Sequence, residues 1–304
     1  MRLVGQDEIR RAIPPAAAID AMREAVVAQS RGECDTPMPM HLDLASGGGG
    51  EVHVKSSYRK GGSHFALKIA GTYATRPYGM VVLVSARTGE TEAYFDDGGY
   101  LTDLRTAAVA ALVARELGRT DAVLGILGSG VQARLQAQLH AEVLGLSEIH
   151  VWARSRERTA LCAREIGIRL PGVRVVAADS PAEVAASALL IVTATASRAP
   201  LLAARDLRAG THVSAVGSDS PGKQELDPEI LRGASLLLVD SLAQCEKLGE
   251  LQHALSEKAR AVEIGAFCEQ PRAFDRSGTT VADFTGLGAE DLFVAEACLQ
   301  GLPR

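Results

Sequence analysis

Aromatic residues are scarce in this chain. One Trp, five Tyr and six Phe make up 4% of the 304 residues, too few to build stacking platforms for single-stranded nucleic acid. Positive charge is not in excess either. Lys and Arg number 32 against 37 Asp and Glu, a formal net charge of −5, so no basic face for nucleic acid is expected. Paired cysteines are missing. Cys34, Cys162, Cys245, Cys268 and Cys298 are scattered, odd in number and form no C-x-x-C. They read as reduced thiols in a cytoplasm, not a disulfide frame or a zinc site. The histidines (His41, His53, His64, His140, His150, His212 and His253) show neither H-x-x-x-H nor H-E-x-x-H spacing, so no metal is expected. The apolar run "AAVAALVA" at 107–114 falls far short of the about 20 residues a membrane span needs. The opening "MRLVGQDEIRRAI" has no apolar core or small-residue cleavage site, so no export signal is expected. The remainder is a globular composition, 47% hydrophobic and 23% charged, whose expected partners are small molecules.

The first part reads as a helix followed by strands. Residues 14–32 open on two prolines, carry helical apolar spacing and stop at Gly32. The glycines at 47–50 read as a flexible turn. After it "EVHVKSSY" alternates, with Val52 and Val54 on one face and His53 and Lys55 on the other. "HFALKIAGTY" alternates likewise, with Phe65, Leu67 and Ile69 opposite Ala66 and Lys68. "MVVLVSARTGETEAYF" reads as a hairpin turning at Gly89. "YLTDLRTAAVAALVARELGR" reads as a helix capped by Thr102 or Asp103 and stopped by Gly118. Beyond residue 120 strands and helices alternate, with strands expected at 123–127, 149–152, 173–177, 189–193, 212–216 and 236–239. Ser180 and Pro181 mark the start of one intervening helix. Such alternation implies a parallel, doubly wound sheet.

The stretch "AVLGILGSGVQARLQAQL" joins a strand to a helix through Gly128-Ser129-Gly130-Val131-Gln132-Ala133, the context of a dinucleotide fingerprint. Gly128 permits the tight turn, Gly130 lets a diphosphate approach the backbone, and Ala133 allows close helix–sheet packing. The helix start adds free amides and a positive dipole end. An acid for the ribose hydroxyls is expected at the end of the next strand. Instead, "HVWARSRERTA" offers Arg154 and Ser155, a pair suited to a 2′-phosphate, so NADP(H) is expected ahead of NAD(H). "TATAS" (193–197) and Val216–Gly217 end later strands and are expected to line the same crevice, through Thr193, Ala194, Thr195, Val216 and Gly217.

Seven segments in this order resemble the ornithine cyclodeaminase/mu-crystallin family: "FALKIAG", "GYLTDLRTAA", "GILGSGVQARLQ", "TATAS", "AVGSDSPGKQELDPEIL", "DS…C…GELQHAL" and "DFTGLGAEDL". "EVHVKSSY" and "DDGGYLTDLRTAA" look closest to its ectoine-utilisation or ketimine-reductase-like branch. The resemblance implies an α/β fold: a doubly wound Rossmann domain at 119–288 plus an α+β substrate-binding and dimerisation domain at 1–118 with 289–304. It implies a homodimer acting on C–N bonds of small amino or imino acids. By motif, Lys68 matches the family's active-site lysine, Arg105 the arginine that holds the substrate carboxylate, and Asp219 the acid/base aspartate.

The chain departs from that pattern in two places. "DTPMPMHLDL" has methionines where a second carboxylate-binding arginine is usual, and the segment "AGTYATRPYGM" looks shortened. Lys55 is a candidate replacement for the missing charge. Arg105, expected in the first turn of its helix, would hold a carboxylate with a planar fork. Asp219, just past a strand's carboxyl end, would carry a proton. The leading expectation is reduction of a small ketimine carboxylate, such as 1-pyrroline-2-carboxylate, by NADPH. Rival expectations are an ornithine cyclodeaminase with retained NAD⁺, an amino-acid dehydrogenase, and a non-catalytic dinucleotide or small-ligand binding protein.

Overall fold

The structure is a computed structural model that describes residues 1–44, 50–72 and 77–303. The glycine turn, except Gly50, and positions 73–76 of the shortened segment lie outside the described residues. The chain forms two compact units, Met1–Val109 with Leu287–Arg304, and Ala110–Gly286.

In the first unit the chain runs β1 (Arg2–Gly5), α1 (Gln6–Ala12), α2 (Pro15–Ser30), β2 (Cys34–Asp35), β3 (Met40–Asp43), β4 (Glu51–Arg59), β5 (His64–Thr72), β6 (Pro77–Ser85), β7 (Thr91–Asp96) and the start of α3 (Tyr100–Glu116). The sheet order is β1-β7-β6-β5-β4-β2, and β3 also pairs with β4. β1 runs parallel to β7, whereas the β3–β4, β4–β5, β5–β6 and β6–β7 pairs are antiparallel. Gly89, at φ +75, closes the β6–β7 hairpin as expected. β1 and α1 precede the first helix read from the sequence; an isolated four-residue strand carries too little periodicity to be recognised.

The start of α3 corrects two expectations. Its cap is neither Thr102 nor Asp103. The buried Asp97 carboxylate accepts the amides of Gly99 (3.1 Å) and Leu101 (2.7 Å). Gly98 and Gly99 take positive φ, +58 and +93, so the chain turns sharply enough to begin the helix at Tyr100. Arg105 therefore lies beyond the first turn, and the dipole of the helix start does not bear on it.

The C-terminal helix (Gly288–Gly301) packs against α2 and lies on β4 and β5. Its entry needs a glycine. A Cβ at Gly288 would stand 2.3 Å from the Ser56 carbonyl oxygen, so the helix start lies flush on β4. The sheet face carrying Ala66, Lys68, Val81, Leu83 and Phe95 is buried, whereas Leu67, on the opposite face, is 38% exposed.

The second unit contains β8 (Val123–Leu127), α4 (Val131–Val143), β9 (Glu148–Trp152), α5 (Arg156–Arg169), β10 (Arg174–Ala177), α6 (Pro181–Ser187), β11 (Leu190–Thr193), β12 (Arg198–Leu202), β13 (His212–Ala215), β14 (Gln224–Leu226), α7 (Pro228–Gly233), β15 (Leu236–Val239), α8 (Leu242–Leu248), β16 (Val262–Glu263), α9 (Ile264–Glu269) and β17 (Thr280–Asp283). Its main sheet is parallel throughout, in the order β10-β9-β8-β11-β13-β17-β15-β16. The order reverses between β8 and β11, which makes this the switch point of a Rossmann-like α/β fold. The six strands read from the sequence are present to within one residue at each end. Ser180 caps α6 as expected, its hydroxyl accepting the Glu183 amide at 3.1 Å. β17 goes unread in the sequence, since "TVAD" is short and adjoins a glycine-rich loop. Yet it lies between β13 and β15 in the sheet, and Val281 belongs to the core with Leu127, Ile191, Val213 and Leu237. Each such side chain removed from water stabilises the fold by about 1.5–3 kcal/mol.

Candidate functional site: a glycine-lined crevice and a buried charge set

The crevice of the second unit opens at the switch point. Gly128 has φ +136 and its amide donates to the Trp152 carbonyl at 2.8 Å. A Cβ there would stand 2.5 Å from the Ala194 carbonyl oxygen, so only glycine fits between β8 and β11. Gly130, which immediately precedes α4, is the opposite case: nothing lies within 4 Å of the place a Cβ would take. That open space lies where the first amides of α4 are presented, an arrangement that accepts a diphosphate. Ala133 is fully buried, letting α4 pack closely on the sheet. Gly128, Ser129, Gly130, Trp152, Arg154, Ser155, Arg158, Ala194 and Thr195 are among the residues lining a cavity of about 640 Å³. Val131 is 55% exposed, and the Gln132 side chain accepts from Gln136 at 3.3 Å. Arg154 is exposed on the crevice wall, while the Ser155 hydroxyl caps α5 by accepting the Arg158 amide at 3.3 Å.

A carboxylate that escapes sequence reading sets the far wall. Glu225 is fully buried. It accepts the Thr193 hydroxyl (2.7 Å), the Thr195 amide (2.6 Å), the Thr195 hydroxyl (2.7 Å) and the Gly217 amide (3.0 Å). Thr193 thus turns its hydroxyl to Glu225, and Val216 is buried. Further buried acids repeat the device. Glu250 accepts the amides of Glu225 and Leu226, Asp283 those of Glu250 and Leu251, and Asp240 those of Thr285 and Gly286. Burial pushes the Glu225 carboxyl above the ordinary carboxylate range, Glu250 to about 9 and Asp283 to about 7. Asp219 follows β13 and is 41% exposed. Its carboxylate accepts from Lys223 Nζ at 2.6 Å and from the Ser220 hydroxyl at 3.2 Å.

Within the first unit the register of β4 and β5 pairs Lys55 directly with Lys68. Both are buried, at 7% and 3% exposure, which rules out an edge lysine kept in solvent. Arg105 is buried too, at 5%. Two acids of the C-terminal helix meet these cations. Asp291 Oδ1 accepts from Arg105 Nε at 3.2 Å while its Oδ2 lies 3.7 Å from Lys68 Nζ. Glu290 Oε2 accepts from Arg105 Nη1 at 3.0 Å. Neither acid is singled out by the sequence reading, although "GAEDL" places both in the first turn of a helix, where negative charge is favoured. Asp291 therefore couples the lysine to the arginine.

The family model for ornithine cyclodeaminase/mu-crystallin matches residues 3–300. The chain belongs to that family. A Rhizobium meliloti (strain 1021) protein provisionally named a dehydrogenase is 36% identical, over 97% of this chain and 94% of its own length. Among solved structures, the iminosuccinate reductase of Paracoccus denitrificans in complex with NAD⁺ superposes with a TM-score of 0.87 at 28% identity. That match covers 99% of this chain and 96% of the other. An archaeal alanine dehydrogenase dimer with bound NAD gives 0.88 at 26% identity, covering 98% and 95%. Named relatives include reductases, a cyclodeaminase and an alanine dehydrogenase. Among the described residues no helix is long and apolar enough to cross a membrane.

Proposed function

We propose that this protein reduces the C=N bond of a small ketimine carboxylate, such as 1-pyrroline-2-carboxylate, to an L-amino acid with NAD(P)H. The observation that carries the reading is the buried set Lys68–Asp291–Arg105–Glu290. A guanidinium and an ammonium held out of water by shared carboxylates suit an anionic substrate that must also gain a proton. Arg105 receives the substrate carboxylate, and Asp291 and Glu290 fix the plane of its fork before the substrate arrives. Lys68 donates its proton to the imine nitrogen as the C=N electron pair moves onto that atom. Asp219 serves as the second proton carrier. Lys55 adds positive charge in place of the arginine absent from "DTPMPMHLDL".

The crevice residues fit a nicotinamide dinucleotide, whose diphosphate Gly130 and the first amides of α4 would hold. When bound, such a cofactor supplies the hydride that C2 of the imine accepts. No acid follows β9 before Glu157, and Arg154 and Arg158 line the crevice there. This favours the 2′-phosphate of NADP(H) over NAD(H). Met40, Val54, Ile69 and Met80 are mutual register partners on the more exposed sheet face, and Leu67 pairs with Val82 on that face. This half-exposed apolar surface supports a homodimer joined through the first unit, and the reduced thiols support a cytoplasmic setting.

The test is initial rates with NADPH and NADH over a panel of cyclic and linear 2-imino acids. No imine reduction with either cofactor would overturn the proposal. Ammonia and proline formed from ornithine without net NADH would assign a cyclodeaminase instead.

A further inference from the structure

We infer that the β3–β4 hairpin carries a binding site for a divalent transition ion of the zinc type, built from His41, His53 and Glu51. His41 and His53 are direct cross-strand partners in the β3–β4 register, and Asp43 and Glu51 are the next pair on the same face. The motif H-x-D on one strand therefore lies against E-x-H on the other. The helical spacings usually sought for metal ligands do not apply here, because on a strand positions i and i+2 share a face.

Ligand atoms of His41, Glu51 and His53 all lie within 4.8 Å of one another. The two imidazoles meet edge to face, with centroids 4.8 Å apart and planes at 83°. His53 Nε2 stands 3.8 Å from Glu51 Oε2, too far for a hydrogen bond. That spacing is close to the roughly 3.4 Å that separates two ligands on a tetrahedral zinc with bonds of about 2.0–2.1 Å. Small side-chain rotations would bring all three onto one ion.

The donor set selects the class of ion. Two imidazoles with one carboxylate suit zinc, nickel or copper, whereas calcium and magnesium prefer an all-oxygen shell. His41 is exposed and the other two are half-buried, so an ion can enter from solvent and keep a water as its fourth ligand. Met40 and Leu42 alternate onto the opposite face, so the apolar surface assigned above to a second copy is not the one that holds the ion. His53 is two residues from Lys55 on one face, which places the ion beside the cationic end of the sheet.

The experiment is calorimetric titration of Zn²⁺ into chelator-treated, dialysed protein, with Co²⁺ as a spectroscopic stand-in. One ion per chain is expected, with cobalt giving the visible absorption of a four-coordinate nitrogen–oxygen site. The H41A/H53A variant should bind at least 100-fold more weakly, and Glu51→Gln at least 10-fold. Both should melt like the parent, since the three side chains are not core. His64→Ala, which removes a histidine already bonded to Glu92 and Glu296, should bind like the parent. Unsaturable binding, or parental affinity in either H41A/H53A or E51Q, overturns the inference.

Discussion

Replacing Glu225 tests whether a buried carboxylate shapes the crevice. Its side chain gathers four donors, from Thr193, Thr195 and Gly217, that belong to the ends of β11 and β13. Glu225→Ala leaves all four without an acceptor. A buried donor stranded in this way costs about 1–3 kcal/mol, and water entering the vacated space recovers part of it. The net local loss should be about 3–5 kcal/mol, which is at least about a 100-fold fall in amide protection. Glu225→Gln keeps one acceptor oxygen and should lose about 1–2 kcal/mol.

The assay is hydrogen exchange read by mass spectrometry over 193–197 and 215–218. The pH dependence carries a sign. Burial raises the Glu225 carboxyl above its ordinary 4.5. Its contribution is therefore fully present below that value and is lost as pH rises through the raised one. The parent's advantage over Glu225→Gln should shrink as pH increases. Parental protection of both segments in Glu225→Ala would refute the reasoning.

Gly128→Ala should lower the melting temperature markedly, because a Cβ would collide with Ala194 O at 2.5 Å and φ is +136. Gly130→Ala should melt like the parent, since nothing lies within 4 Å of the new methyl. Its dinucleotide Kd, read by fluorescence titration, should nonetheless rise at least about tenfold, or about 1.4 kcal/mol. Asp291→Asn removes the charge that Lys68 and Arg105 share. In the steady-state imine assay its kcat/KM should fall about 100-fold, or about 2.7 kcal/mol of transition-state stabilisation. The Glu250 carboxyl, pushed to about 9 by burial, contributes stability that is lost as pH rises from the ordinary glutamate range through 9. Melting curves should therefore show the parent losing more stability than Glu250→Gln between pH 6 and 9.

The alternating half of the chain is legible because long apolar periods and caps such as Ser180 are local signals. β1 and β17 escape because four residues carry almost no period, and their partners β7 and β13 lie far off in sequence. The glycine loop is readable because one φ and one clash dictate its composition. Lys68 and Arg105 are readable by motif, yet their partners are not. Asp291 lies 186 residues from Arg105, and nothing in "AEDL" announces which cation its carboxylate will meet. The cap of α3 is misread for a related reason: Asp97 acts through two glycines of positive φ, so the carboxylate sits farther from the helix than a hydroxyl cap would. The His41–His53 pair hides for the opposite reason, since its signal has the period of a strand and not of a helix.

Charge poses the remaining question about the crevice. The crevice proposed to hold a diphosphate is underpinned by Glu225, Glu250 and Asp283, and ionised acids there would oppose such a ligand. At an effective dielectric near 20, a carboxylate about 10 Å from a phosphate repels it by about 1.7 kcal/mol. Burial relieves this by raising all three carboxyls, so that they hold loops by hydrogen bonding while carrying less than full charge. The Thr193 and Thr195 hydroxyls make the arrangement tolerant, because each can donate to a carboxylate or accept from a carboxylic acid. Dinucleotide affinity should therefore weaken as pH rises from 6 to 9, the range in which Asp283 (about 7) and Glu250 (about 9) ionise, and Glu250→Gln should flatten that slope. A slope of equal steepness in the two proteins would mean that Glu250 shapes the loops without influencing the charge its ligand meets.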